Sequence, residues 1–136
     1  EELIRWKDYD SDLSVDVGKI KFKKVINSSK IIIFSYDSTG FLECLSYNIP
    51  CVAFWQNNLE HIRKEAKPYY EELNKANLLF FSPDSVASHV NKVYEDVDSW
   101  WCSDKIQKAR KLFCEKYANR NNPDIISIVS KILNKL

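Results

Sequence analysis

The run Lys30-Ile31-Ile32-Ile33-Phe34-Ser35, followed by Tyr36-Asp37-Ser38-Thr39-Gly40, decides how the rest of the chain is read. Its first part is β-branched and aromatic with no polar alternation. That suits a strand covered on both faces, as in a parallel sheet. Its second part is turn chemistry, and Ser38 or Thr39 opens a helix reaching about Tyr47, with Glu43 placing an acid in the early turns. Asn48-Ile49-Pro50 stops that helix, because Asn tolerates the left-handed conformation of a helix exit and Pro cannot continue a helix. Cys51-Val52-Ala53-Phe54-Trp55 then reads as a second buried strand, and Leu78 to Phe81 as a third, short one.

Working outward, residues 19–29 carry Ile20, Phe22, Val25 and Ile26 in a short helix, while residues 1–18 show no sustained period. Residues 58–76 read as helical with an interruption near Pro68, and Tyr69, Tyr70, Leu73 and Ala76 share the later face. Ser82-Pro83-Asp84 is a helix start, with a cap, a first-turn proline and an acid at the positive end. Val86, Val90, Val93 and Val97 follow at helical spacing. Ser103 opens a further helix with Ile106, Ala109, Leu112, Phe113 and Tyr117. Asn122-Pro123-Asp124 repeats the start signal ahead of Ile125, Ile128, Val129, Ile132, Leu133 and Leu136. The order is strand–helix–strand–helix–strand and then helices. The fold class expected is α/β, a partial Rossmann-like parallel sheet of about three strands with C-terminal helices and right-handed crossovers.

Composition narrows the function classes. The 136 residues are 45% hydrophobic, 29% charged and 13% aromatic, which excludes a disordered tail or a collagen-like repeat. No apolar run approaches the roughly 20 residues that span a bilayer. The net charge of +1 gives no reason to expect nucleic acid. Residues 103–136 hold eight basic and three acidic side chains, a tilt that suits either an anionic membrane surface or a solvated helix face. Cys44, Cys51, Cys102 and Cys114 form no Cys-x-x-Cys pair, and only His61 and His89 could join them, so zinc is not expected. Cys44 and Cys51 sit in apolar segments as buried free thiols, which fits a reducing cytoplasm. The chain begins at Glu1 with no Met and no signal-peptide pattern, so a piece of a longer protein is expected.

Open parallel sheets bind ligands beyond the carboxyl ends of their strands, which points to residues 35–40. Ser38, Thr39 and Gly40 offer hydroxyls, free N–H groups and close approach at a helix start, a combination that suits a phosphate. They equally serve as a plain helix cap. Glu43, one turn on, can accept from the vicinal hydroxyls of a ribose or sugar, or it is a solvated helix acid. His61 lies just past the second strand and either faces the ligand or is an exposed helix residue. Arg63 and Lys67 can neutralise phosphate or pair with Glu60, Glu65 and Glu71. His89 has no partner cluster and reads as structural. Trp100-Trp101 is a packing anchor or a sugar-stacking surface. The alternating Asp8, Asp10 and Asp12 lie in the unpatterned leading segment, so no metal site is expected.

The stretch Asp37-Ser-Thr-Gly-Phe-Leu-Glu-Cys-Leu-Ser-Tyr-Asn-Ile-Pro50 resembles the donor-nucleotide motif of GT-B glycosyltransferases. It is most similar to bacterial surface-carbohydrate transferases that read Phe-Leu-Glu-x-Leu-x-x-Asn-x-Pro. Phe54-Trp55, Ala66-Lys67-Pro68-Tyr69 and Trp100-Trp101 extend the likeness over roughly residues 28–120. The resemblance implies the C-terminal half of a GT-B fold, with Ser38, Thr39 and Gly40 on the donor phosphates and Glu43 on sugar or ribose hydroxyls. Tyr36, Asp37, Trp55 and His61 are expected as further donor contacts. Asn48 stands where many such enzymes have glycine. It also implies a glycosyltransferase, inactive as this piece alone, that uses a nucleotide-sugar as substrate with no cofactor. The glycan acceptor would be held by another domain, and the location expected is the cytoplasm, with the inner face of the membrane as an option. The division expected is an upstream remnant at 1–18, a nucleotide-sugar-binding domain at 19–122 and a docking helix at 123–136. The alternatives are a non-catalytic Rossmann-like interaction module and a fragment of a sugar epimerase.

Overall fold

The structure, a computed structural model, describes residues 2–119. Three short strands run parallel in chain order, β1 (Ile32–Phe34), β2 (Cys51–Phe54) and β3 (Leu79–Phe80). Ile32 pairs with Cys51 and Phe34 with Ala53, which in turn faces Leu79. Two helices precede the sheet, α1 (Glu2–Tyr9) and α2 (Phe22–Ser28). The crossovers run through α3 (Thr39–Ser46) and α4 (Lys67–Lys75). After β3 come α5 (Pro83–Val93), a 3₁₀ turn at Tyr94–Asp96, α6 (Val97–Trp101) and α7 (Asp104–Tyr117). The arrangement is the α/β, partial Rossmann-like parallel sheet that the sequence pattern calls for.

The period-two alternation of β2 divides the core. Cys51 and Ala53 face the larger cluster with Phe41 and Leu45 of α3, Leu73 of α4 and Phe113 of α7. Val52 faces the other way, onto Phe80 and Val86. Burial on both faces therefore holds for β2. It fails for β1, where Ile33 is 47% exposed. The reason is coverage: α5 packs on β2 and β3 and leaves that side of β1 open.

Local chemistry sets the helix ends. Ser38 Oγ accepts from Phe41 N at 3.4 Å, and Ser82 Oγ accepts from Ser85 N at 3.2 Å, so both serines cap. Each return to the sheet uses an asparagine in the left-handed region, Asn48 at φ 59° and Asn77 at φ 62°. In both, the next residue closes the helix with a long-reach bond, Ile49 N to Cys44 O and Leu78 N to Leu73 O, each at 2.9 Å. Asn48 does more than turn the chain. Trp101 Nε1 donates to its main-chain oxygen at 3.1 Å and to Oδ1 at 3.0 Å, and Gln107 Nε2 reaches Oδ1 at 3.1 Å. Arg110 Nη1 donates to Leu45 O at 2.8 Å, which satisfies a carbonyl at the end of α3 with a cation.

Several expectations change. The helix read over 58–76 forms only from Lys67: residues 56–61 are turns, Asn58 is left-handed at φ 50°, and Pro68 sits in the first turn of α4. Proline lacks an N–H that the first turn does not use, so Pro68 starts the helix instead of interrupting it. The valine face of 86–97 is broken by the 3₁₀ turn, where Asp96 accepts from Ser99 N at 3.0 Å and caps α6. The unpatterned leading segment contains α1, whose Trp6 and Tyr9 stay exposed. Trp101 is 3% exposed and hydrogen-bonded, which makes it the packing anchor and not a sugar platform. Cys44 and Cys51 are buried free thiols as expected, but Cys102 is exposed and Cys114 half-buried. Burial pushes the Cys51 thiol well above its ordinary value. The helix expected after Asn122 lies outside the described residues.

The double duty of Asn48 gives a graded expectation. Asn48→Gly keeps the turn but removes the side-chain acceptor for Trp101 and Gln107, at about 1 kcal/mol. Asn48→Ala adds left-handed strain of roughly 1–2 kcal/mol. Urea unfolding followed by tryptophan fluorescence should rank the wild type above Gly and Gly above Ala; an Ala variant as stable as the Gly variant would refute the turn's share.

Candidate functional site

Beyond the carboxyl ends of β1 and β2 lies a cleft of about 430 Å³. Residues 35–37, leaving β1, form one wall; residues 54–57, leaving β2, form the other, and His61 closes one side. This is where an open parallel sheet presents a ligand, and the volume falls in the usual range for small-molecule sites. The tight turn at left-handed Asn58 folds the chain back after β2, which is what brings His61 to the cleft.

Aromatic packing fixes the floor. Trp55 is 3% exposed and stands edge-on to His61, ring centroids 5.2 Å apart, with Tyr70 behind it at 5.2 Å. Its indole Nε1 is buried without a hydrogen-bond partner. His61 Nε2 lies 3.6 Å from Asp37 Oδ2, both side chains about two-fifths exposed, so the two loops are linked by an ion pair when the imidazole is protonated. Burial, together with the Asp37 carboxylate and Tyr117, pushes the Tyr70 hydroxyl up to about 12.

Of the residues picked from sequence, Tyr36, Asp37, Trp55 and His61 are brought together on this cleft. Ser38, Thr39 and Gly40 continue the chain from Asp37 into α3 without lining it. Gly40 has a packing reason for its identity: a Cβ there would meet Phe34 Cε1 at 2.9 Å and Phe22 Cζ at 3.2 Å. Glu43 is exposed and lines two other grooves, one against α2 with Phe22 and Ile26 and one against the end of α7. Arg63 and Lys67 do not line the cleft. His89 is structural as expected, half-buried between Phe80 and Trp100 with its pKa lowered first by burial and then by Lys92 and Lys105.

Sequence reading took in Ser35 with residues 35–40 but passed over Gln56 and Asn57, which also line the cleft. The signal was present for both, since amides directly after a buried strand stand where ligands bind. Among the described residues no group of His, Cys, Asp and Glu is arranged to hold a metal ion. No described helix is long and apolar enough to cross a membrane.

Tyr70 supplies a measurable consequence. An unfolded tyrosine ionises near pH 10 and Tyr70 at about 12, so its contribution is fully present below pH 10 and is lost as the pH climbs toward 12. Stability measured by urea unfolding between pH 9 and 11.5 should fall, and Tyr70→Phe should flatten that slope. An unchanged slope in the variant would remove Tyr70 as the cause.

No curated protein and no solved structure gives a significant match to the chain. The family described as LIC12162 family transferase matches residues 2–133, which takes in the three strands, the cleft and every helix described. The chain belongs to this LIC12162 family of transferases.

Proposed function

We propose that the chain is the nucleotide-sugar-binding part of a GT-B-type glycosyltransferase that builds a bacterial surface glycan. The observation that carries this reading is the cleft at the carboxyl ends of two parallel strands, with the amino end of α3 following directly from its wall, in a chain of a transferase family. In such a transfer an acceptor hydroxyl oxygen attacks the anomeric carbon while the bond from that carbon to the phosphate oxygen breaks. The electron pair leaves with the phosphate, and the acceptor's proton goes to a base. The protein's task on the donor side is to stabilise the charge that builds on the departing phosphate.

Ser38 and Thr39 are suited to that task, since the first N–H groups of α3 lack partners within the helix and its dipole favours an anion. Tyr36, exposed on one wall, offers aromatic surface to a base or sugar, and the amides of Gln56 and Asn57 offer donors and acceptors for recognition. A ligand seated in the cleft must extend over the first turn of α3 to meet Glu43, the proposed partner of a ribose or sugar diol. No resident metal enters this scheme.

A thermal-shift series with CMP, UDP, GDP and ADP tests the reading. A nucleotide at about 100 times its Kd stabilises by roughly 2.7 kcal/mol, which is several degrees for a domain of this size. One of the four should raise Tm by that much, and the Ser38→Ala/Thr39→Ala double variant should lose most of the gain. Indifference to all four would favour an interaction module, and undiminished binding in the double variant would remove these residues from the phosphate.

A further inference from the structure

We propose that His61, held by Asp37, is the cation that receives the donor's phosphate in this cleft. The proposal rests on the nucleotide-donor reading above and deepens it. Its first ground is charge. Among the described residues, the side chains lining the cleft include one carboxylate, Asp37, and no lysine or arginine, so His61 is the one of them that can carry full positive charge. A phosphate entering a cleft that already holds a carboxylate needs a counter-charge, and the imidazolium is the group in position to supply it.

The second ground is geometry. At 3.6 Å the Asp37–His61 contact is longer than a good hydrogen bond, and both groups are well exposed, so the pair adds little to stability. It does orient the ring. Asp37 takes the Nε2 side, and the Trp55 edge contact at 5.2 Å restricts the ring's swing. Nδ1 is then the second donor of the imidazolium and the one left for a ligand oxygen.

The third ground is proton linkage. Histidine is the side chain whose ordinary titration falls within about pH 5–8. A phosphate bound against the ring favours its protonated form. Binding therefore draws a proton onto His61 from solvent, and the affinity gain is fully present below the free-state midpoint and fades above the bound-state midpoint. The groups around the ring are Asp37 and Tyr36 from the loop after β1, Tyr70 of α4 behind Trp55, and Glu60, Arg63 and Lys64 along its own segment. Tyr70 stays neutral throughout that range because it ionises only at about 12.

The chain contains two histidines, so proton NMR of the imidazole Cε1–H signals resolves the question directly, with half-buried His89 as the internal control. The pH titration is run on the whole chain alone, with CMP, UDP, GDP or ADP, and with the matching nucleosides; His61→Gln assigns the signal. The nucleotide that stabilises the chain should raise the His61 midpoint by about one unit, equivalent to roughly tenfold tighter binding by the protonated form. Its nucleoside should leave the midpoint in place, and His89 should not respond to either. His61→Gln should bind that nucleotide about tenfold more weakly at pH 6 and bind the nucleoside unchanged. A stabilising nucleotide that leaves the His61 midpoint unmoved, or binds His61→Gln equally well, overturns the role of His61 while the donor site stands. If none of the four nucleotides stabilises the wild type, the donor site falls and this role falls with it.

Discussion

The left-handed backbone at Asn48 is the constraint from which the rest of the packing follows. A parallel sheet needs each helix to end sharply and return the chain to a neighbouring strand, and at Asn48 this happens with φ 59° and a bond from Ile49 back to Cys44. Glycine would turn the chain as easily. Asparagine adds an amide oxygen at the point where α3 stops, and with the main-chain oxygen it receives Trp101 and Gln107 from α6 and α7. The returning chain is thereby tied to the helices that come fifty residues later. Phe113 can then sit fully buried against Tyr70, and Tyr70 against Trp55, so the floor of the cleft is braced from the far side of the molecule.

That chain of contacts explains the division of labour between the two strand-end loops. The loop after β1 is short and runs directly into a capped helix, so Asp37 and Ser38 are set by the start of α3. The loop after β2 is long and turns at Asn58, so the position of His61 depends on Trp55 beneath it and Asp37 opposite. One wall is built by secondary structure and the other by side-chain packing. A site of this kind places fixed helix-end groups beside an adjustable, titratable one.

How much of this was legible from residues alone depended on the range of the interaction. Strand β2, the caps at Ser38 and Ser82, the left-handed exit at Asn48 and the start at Ser103 are decided within a few residues, and the sequence carries them openly. The false helix over 58–66 came from counting apolar spacing without weighing the turn preference of Gln56-Asn57-Asn58. The single-sided burial of β1 depends on where α5 lies, which no local pattern encodes. At the site, Tyr36, Asp37, Trp55 and His61 were found because they follow buried strands. The separation of Glu43 from the cleft was not, because it depends on which groove its face of α3 meets. Gly40 shows the same limit: a glycine after a strand suggests an anion, yet the rings of Phe34 and Phe22 give it a reason of their own.

The bare long side of β1 has a bearing on colloidal behaviour. Among the described residues the outer edge of β1 has no neighbouring strand, and such an edge, flanked by an outward isoleucine, is a template to which a second polypeptide can add by main-chain pairing. With a net charge of only +1, electrostatic repulsion between molecules offers little defence against such contacts. Three residues make a brief ladder, which slows nucleation. A lysine facing outward in place of Ile33 would guard that rim at small cost to the interior.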